Sequence, residues 1–216
     1  RQAQAEEAES LIKALKTLQQ QPLDTPGAQR ARIDELKSQF QALKELPRQQ
    51  AQALNDAFYQ TLKALDEQHK NARRQAKERQ RQQLFNAAEA VRALELASLE
   101  GGDTTAAQEE ASIALEAVEH WPGDSQAILN QRLERAASLT SAVQTENLEA
   151  LRLLCIRKEI ATGQESPESD KARRMAYQME QLQQGLGQRS DTAESLLLEW
   201  LALGGVPDPE YTQLLT

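Results

Sequence analysis

The chain has 216 residues, of which 25 are lysine or arginine and 33 are aspartate or glutamate, so its formal net charge at pH 7 is −8. Alanine, leucine and glutamine supply 33, 31 and 28 residues, against only 9 glycines, 7 prolines, 8 aromatic residues and one cysteine. This composition excludes a disulfide framework and a Gly-rich chain, and it argues against a sheet protein, because strands are rich in β-branched and aromatic residues. It predicts an all-α protein, and no segment approaches the ~18 uninterrupted apolar residues of a membrane span.

The predicted helices lie between the few proline and glycine positions, which mark the turns. In chain order they cover residues 3–20, 26–46, 48–100, 105–120, 124–162, 167–185 and 191–203. Thr25 is the predicted N-cap of the second helix, which has a proline at its first position. Asp124 and Ser166 are predicted to cap the fifth and sixth helices. At the seventh, Asp191 and Glu194 form a pair that resembles a capping box.

The long third helix changes character along its length. Apolar stripes occupy its two ends, but residues 66–83 contain no large apolar side chain. A helix that is polar on all sides does not pack in a core and instead bridges solvent between packed regions. We therefore predict an extended tandem helical-hairpin repeat with a small N-terminal bundle of residues 1–65, a polar helical strut of residues 66–83 and a C-terminal bundle of residues 84–216. A disordered hinge is the alternative to the strut, and the oppositely charged pair Asp66 and Lys70, one helical turn apart, favours the helix.

Three of the seven prolines occupy the same sequence context, at Pro47, Pro122 and Pro207. Each follows a shorter helix with apolar residues at matching offsets and marks the turn into a longer one. The copies are 75 and 85 residues apart. One helical hairpin cannot bury its own apolar stripe, so neighbouring units must cover it. The third copy stops where its longer helix begins, so we expect Thr216 to mark a truncation or an ordering boundary. We also expect Arg1, which is not an initiator methionine, to lie inside a longer gene product.

The most specific motif lies in the third copy and reads Leu196-x-x-x-Trp200-x-x-Leu203-Gly204-x-Val206-Pro207. Three further motifs accompany it: Leu154-Cys155-Ile156-Arg157, Ser166-Pro167 and Met175-x-Tyr177-Gln178. Together they resemble the bacterial domain of unknown function number three hundred and forty-nine, a family of long helical proteins rich in Ala, Glu and Arg that carry this unit in tandem. The resemblance is best over residues 150–216, good over residues 30–85 and loose in the middle copy. It implies a cytoplasmic bacterial helical-repeat protein, and it brings no catalytic residues.

The residue types that carry catalysis or bind metals are scattered. His69 and His120 are far apart, and the sequence has no histidine pair, no cysteine pair and no Gly-rich phosphate loop after a strand. We expect His120 to lie in the last turn of a helix as a cap, His69 to be solvated and Cys155 to be a small core residue. The sequence thus predicts no enzyme, with no catalytic, cofactor or metal site and no small-molecule substrate.

Two further groups are predicted to be structural. The aromatic residues Phe40, Trp121 and Trp200 are expected to anchor the hairpins in the core rather than to stack on a ligand. Several basic residues are expected to form ion pairs around a helix junction, namely Arg157, Lys158, Arg173 and Arg174 with Glu159, Glu168 and Asp170.

One charge feature departs from this pattern. Residues 70–81 contain six basic residues and one acidic residue, although residues 101–216 carry a net charge of −10. Five of these basic residues, which we call the basic stripe, fall on or beside one helix face: Lys70, Arg73, Arg74, Lys77 and Arg81. A row of cations can hold phosphates or an acidic partner, but the interleaved aromatic residues typical of single-strand binding are absent. A solvated helix also carries such charges simply to remain soluble, so both interpretations stay open.

The sequence therefore predicts a non-enzymatic helical-repeat scaffold or adaptor that binds protein partners in the bacterial cytoplasm. The alternative is a factor associated with nucleic acid or ribonucleoprotein that uses the basic stripe. We expect no membrane partner, and neither the identity of a protein partner nor the oligomeric state follows from the sequence.

Overall fold

A computed structural model describes residues 2–43, 46–184 and 191–207, and within these ranges the protein is all-α, as predicted. The eight α-helices are α1 (Gln2–Gln20), α2 (Pro26–Ala42), α3 (Arg48–Glu100), α4 (Thr105–Glu116), α5 (Ser125–Arg135), α6 (Ser141–Thr162), α7 (Lys171–Gln184) and α8 (Ala193–Ala202). Two short 3-10 turns, Ala136–Ser138 and Glu168–Asp170, precede α6 and α7. The predicted end of the sixth helix near Gly185 or Gly187 lies outside the described residues, as does the sequence after Pro207.

The chain divides into two compact units, Arg1–Lys77 and Glu78–Thr216, and α3 contributes to both. In the first unit, α1, α2 and the beginning of α3 share one apolar core. The rings of Phe40 and Phe58 stack at its centre, with centroids 3.8 Å apart. Phe40 is buried, as predicted for a core anchor.

The second unit has its own core, built from the end of α3 together with α4, α5, α6 and α8. Trp200 of α8 is fully buried there, and its ring stacks on that of Phe85, with centroids 6.5 Å apart. Trp121 and Cys155 are partly buried and pack against this core. The hairpin aromatics therefore lie where large apolar side chains contribute most to packing.

Residues 66–83 are helical throughout, and none of them is buried. The predicted pair is formed: Lys70 Nζ lies 2.7 Å from Asp66 Oδ2. The division between the two units falls inside this segment, between Lys77 and Glu78. The bundle boundaries at residues 65 and 84 stay predictions.

The predicted single helix from Asp124 to Thr162 is wrong, because the chain breaks between α5 and α6. Leu139 has extended backbone angles, and Thr140 caps α6 by accepting a hydrogen bond from the Val143 amide. Neither proline nor glycine marks this break. A Ser/Thr-rich stretch competes with helix hydrogen bonding there, because hydroxyl side chains satisfy the free amides of a new helix.

Three predicted helix ends also differ in detail. The helix predicted for residues 105–120 ends at Glu116, so His120 lies in an exposed loop and not in a last helical turn. At α8 the capping box is formed by Thr192 and Ser195, one position after the predicted pair. Ser166 does not cap a helix: its hydroxyl donates to the Glu159 carboxylate. Thr25, by contrast, caps α2 as predicted.

The break between α5 and α6 supports a paired stability prediction. Thr140→Ala removes a side-chain cap and is expected to lower the free energy of unfolding of the second unit by about 1 kcal/mol. Asp124→Ala is the matched control, because Asp124 precedes α5 but its side chain makes no capping hydrogen bond. We expect this control to lower the free energy of unfolding by less than about 0.5 kcal/mol. Urea denaturation measures both, and equal losses would contradict the capping assignment.

Candidate functional site

The basic stripe lies entirely on α3 and is exposed to solvent. Lys70, Arg73, Arg74 and Lys77 belong to the first unit, and Arg81 belongs to the second. Spacing along the helix predicted that these side chains share or flank one face.

The five cations of the stripe differ in how they are paired. Lys70 contacts two carboxylates, and its hydrogen bond to Asp66 raises the pKa of Lys70 and lowers the pKa of Asp66. Arg74 donates to the Asn71 side chain at 3.0 Å, and Arg81 pairs with Glu78 at 2.9 Å. Within the described ranges Arg73 and Lys77 make no ion pair. These two cations are therefore the ones most available to an anionic partner.

A groove borders the stripe inside the first unit, between the α1–α2 loop, α2 and α3. We call it the α2–α3 groove; its volume is about 610 Å³. Its apolar lining comes mainly from Leu23, Ile33, Leu62 and Leu65. Leu23 remains 43% exposed, so the apolar surface is open to solvent rather than sealed in the core.

Basic side chains also line this groove. Arg30 of α2 and His69, Lys70 and Arg73 of α3 all line it. Arg30, like Arg73, makes no ion pair with any residue that the structure describes. Two acidic residues, Asp24 and Asp66, also line the groove, and Asp66 is already paired with Lys70. The groove thus presents aliphatic side chains beside the guanidinium groups of Arg30 and Arg73, which have no carboxylate partner among the described residues.

Gln29 fixes the loop that forms one wall of this groove. Its side chain is buried, and its Oε1 accepts a hydrogen bond from the Leu23 amide at 2.7 Å. Its Nε2 donates to the Leu18 carbonyl at 3.3 Å. Gln29 therefore ties the loop to the end of α1 and leaves Leu23 at the groove. Nothing in the sequence points to this role of Gln29, because the chain has 27 other glutamines.

A buried polar network holds the loop after α8 in the second unit. Arg132 donates from Nε and Nη2 to the two Glu95 oxygens, at 2.9 and 2.7 Å, and from Nη1 to the Leu201 carbonyl at 2.7 Å. Glu95 also accepts the Gly205 amide at 2.6 Å. Gln144 donates to the Gly205 carbonyl at 2.6 Å. The charges of this network are satisfied within the protein, and its hydrogen bonds tie the loop after α8 to α3 and α5.

The predicted partners of the basic residues around the α6–α7 junction are wrong for Arg157. This guanidinium pairs with Asp191, at 2.6 Å, and with Glu199, rather than with Glu159, Glu168 or Asp170. Hydrogen bonds to these two carboxylates raise the pKa of Arg157 further above its usual range. Burial raises the pKa of the neighbouring Tyr177 hydroxyl. The correct partners come from the loop before α8 and from α8 itself, which are distant in sequence.

Arg173 and Arg174 also have partners other than the predicted ones. Arg173 pairs with Glu149 at 3.0 Å, and Arg174 donates to the Gln164 carbonyl at 2.6 Å. Glu168 pairs instead with Lys171, one helical turn away. The Arg173–Glu149 pair joins α7 to α6, and Arg174 joins α7 to the loop after α6.

Among the described residues, no group of three or more His, Cys, Asp or Glu side chains is arranged to hold a metal ion. His69 lines the groove, whereas His120 is exposed in the loop after α4. None of the helices in the described ranges combines the length and the apolarity that a membrane crossing needs.

No family model, curated protein or solved structure matches this chain. The resemblance to the bacterial family of unknown function therefore stays a prediction.

Proposed function

We propose that the protein is a non-catalytic helical scaffold of the bacterial cytoplasm, and that the α2–α3 groove binds an acidic amphipathic helix of a protein partner. The observation that carries this proposal is the placement of Arg30 and Arg73 beside an open aliphatic surface. An amphipathic helix lays its apolar face into such a groove, with anchors spaced three and four residues apart. Acidic residues beside those anchors would meet the two guanidinium groups.

The groove lining favours a protein over a nucleic acid at this place. Phosphates would be attracted to the same cations, but bases bind single-strand sites by stacking on aromatic rings. The described residues that line the groove include no Phe, Tyr or Trp, and the His69 imidazole is the one aromatic ring among them. Aliphatic side chains such as Leu62 and Ile33 suit apolar anchors of a helix better.

Nucleic acid remains the second candidate, and one observation favours it. Arg73 and Lys77 are exposed one helical turn apart, and within the described ranges neither forms an ion pair. Unpaired cations on an exposed helix supply sequence-independent affinity for phosphates, and that affinity falls steeply with salt. The two candidates differ in what they require: nucleic acid needs the cations alone, whereas a helix also needs the aliphatic lining.

Capture of binding partners from host lysate, with and without nuclease, tests the proposal when matched variants are compared. Arg30→Glu/Arg73→Glu is expected to reduce recovery of nuclease-resistant protein partners about tenfold or more at ~50 mM salt, because two attractive contacts become repulsive. Leu23→Gln is expected to reduce recovery severalfold without a change in charge. The control, Arg48→Glu/Lys63→Glu, makes the same change in charge at exposed positions of α3 away from the groove.

Two outcomes would contradict the proposed groove function. If nuclease removes all bound material and Leu23→Gln has no effect, the basic stripe serves nucleic acid instead. If the charge-reversed pair and its control reduce binding equally, only net charge matters and the groove is not the binding site.

A further inference from the structure

Helix α7 packs against its unit with its polar side and turns its apolar side to solvent. Its outward side chains are Met175, Met179 and Leu182, which are 65%, 55% and 71% exposed, together with the exposed Ala172. On the opposite side, Arg174 donates to the Gln164 carbonyl and to the Ser166 hydroxyl, at 2.6 and 3.2 Å. We call the four outward residues the α7 seam.

The α7 seam is unlike the rest of the described surface. No other element in the described ranges exposes three large apolar side chains. The four residues are spaced three, four and three apart, which places them on one line along the helix and matches the a and d positions of a coiled coil. An apolar row of this kind on a solvent-facing helix marks a binding surface, because water would otherwise cover it at a free-energy cost.

We propose that the α7 seam is a self-association surface, on which α7 of a second copy packs antiparallel about a two-fold axis. The proposal uses the second unit only and is independent of the groove function. The seam positions are symmetric about residue 177. In an antiparallel pair Ala172 therefore faces Leu182 of the second copy, and Met175 faces its Met179.

This symmetry favours a second copy over an unrelated occupant. A two-fold contact requires a surface that is complementary to itself, and here a small residue meets a large one while Met meets Met. Of the positions that flank the seam, Ala176, Gln178 and Gln183 are uncharged, and the charge of Lys171 is paired with that of Glu168. Two copies can therefore approach here without like-charge repulsion, although each carries a net charge of −8.

The size of the seam sets the expected strength of the contact. Three large side chains on each copy bury well under the ~1,200 Å² that stable interfaces need. The dimer should therefore be weak and reversible, with a dissociation constant on the order of 10–100 μM.

Sedimentation equilibrium of the full chain from about 5 μM to 1 mM tests self-association. The weight-average mass is expected to rise from the 24.1 kDa of one chain towards twice that value. Met175→Gln/Met179→Gln/Leu182→Gln should raise the dissociation constant at least tenfold. Ile113→Gln/Val143→Gln, which changes exposed apolar side chains of α4 and α6, is the matched control and should leave it within twofold. Circular dichroism verifies that each variant is folded.

Disulfide trapping tests the antiparallel register. In a Cys155→Ala background, Met175→Cys and Met179→Cys are made as separate chains and mixed in equal amounts. Oxidation should link Met175→Cys chains mainly to Met179→Cys chains, as peptide mass spectrometry would show. Preferential homodimers would indicate a parallel pair and overturn the register.

A chain that stays monomeric at 1 mM would overturn self-association altogether, as would dimers that persist in the triple variant. If the chain is monomeric and the triple variant loses a captured protein, α7 binds a different partner. That result would also contradict self-association, but it would leave the groove function untouched.

Discussion

Arg132→Met is expected to lower the free energy of unfolding of the second unit by about 3–5 kcal/mol. The side chains of Arg132 and Glu95 are only 8% and 3% exposed, so their charges are separated from water. The substitution keeps most of the side-chain volume but leaves the Glu95 carboxylate buried without its cation. It also removes the hydrogen bond to the Leu201 carbonyl near the end of α8.

Urea denaturation followed by tryptophan fluorescence reports this loss for one unit only, because both tryptophans, Trp121 and Trp200, belong to the second unit. The control is Arg152→Met, which breaks the solvent-exposed pair with Glu149. This variant should lower the free energy of unfolding by less than about 1 kcal/mol. Arg132→Met/Glu95→Leu should recover part of the stability, because no unpaired charge remains. Recovery should be incomplete, because Glu95 also accepts the Gly205 amide. Equal losses for Arg132→Met and Arg152→Met would contradict the structural role of the buried pair.

Local sequence rules predicted those helix features whose physical cause lies within a few residues. Thr25 caps α2 because its hydroxyl reaches an amide three residues away. The helix over residues 66–83 forms without any buried residue, and its Asp66–Lys70 pair lies one turn apart. Gly101 ends α3 in a left-handed conformation, with φ of 73°, which glycine adopts without strain.

Several features that the sequence did not reveal involve contacts between residues distant in the chain. The break before Thr140 accompanies a tertiary contact, because Leu139 packs against Gly205, 66 residues later. The partners of Arg157 come from residues 34 and 42 positions away. Met175 and Met179 are one helical turn apart in the sequence, but that spacing describes a core-facing and a solvent-facing row equally well.

The candidate site likewise combines a feature that local spacing predicts with one that depends on tertiary contacts. Spacing alone groups the cations of the basic stripe, because they lie on one helix. The groove beside them depends on how the α1–α2 loop folds, and this is determined by the buried Gln29 side chain. A polar residue that becomes buried to satisfy backbone groups has no signature in a glutamine-rich sequence.

Gly205→Ala is expected to lower the free energy of unfolding of the second unit by about 2–4 kcal/mol, from two separate causes. Gly205 has a φ of 65°, in the left-handed region where a Cβ atom adds about 1–2 kcal/mol of strain. A Cβ built there would also lie 2.2 Å from Leu139 Cδ2. The backbone has little freedom to move away, because its amide and carbonyl bind Glu95 and Gln144.

Gly163→Ala separates these two causes. Gly163 has a similar φ of 71°, but a Cβ there would meet nothing within 4 Å. Gly163→Ala should therefore lower the free energy of unfolding only by the ~1–2 kcal/mol that backbone strain costs. The difference between the two variants, measured by the same tryptophan-monitored urea denaturation, isolates the steric contact with Leu139.

A double-mutant cycle then tests whether Leu139 is the residue in contact. Leu139→Ala alone should destabilise the unit, because it removes apolar contacts and leaves space beside the loop. In combination with Gly205→Ala it should lose less than the sum of the single changes, since the shortened side chain makes room for the new methyl group. Additive losses of stability would mean that the loop adapts to the new methyl group without any change at Leu139.

A loss of stability for Gly205→Ala no larger than that for Gly163→Ala would mean that the close packing between this loop and the α5–α6 break does not contribute to stability. The break would then follow from the Thr140 cap alone, because that hydrogen bond joins residues three positions apart at the start of α6.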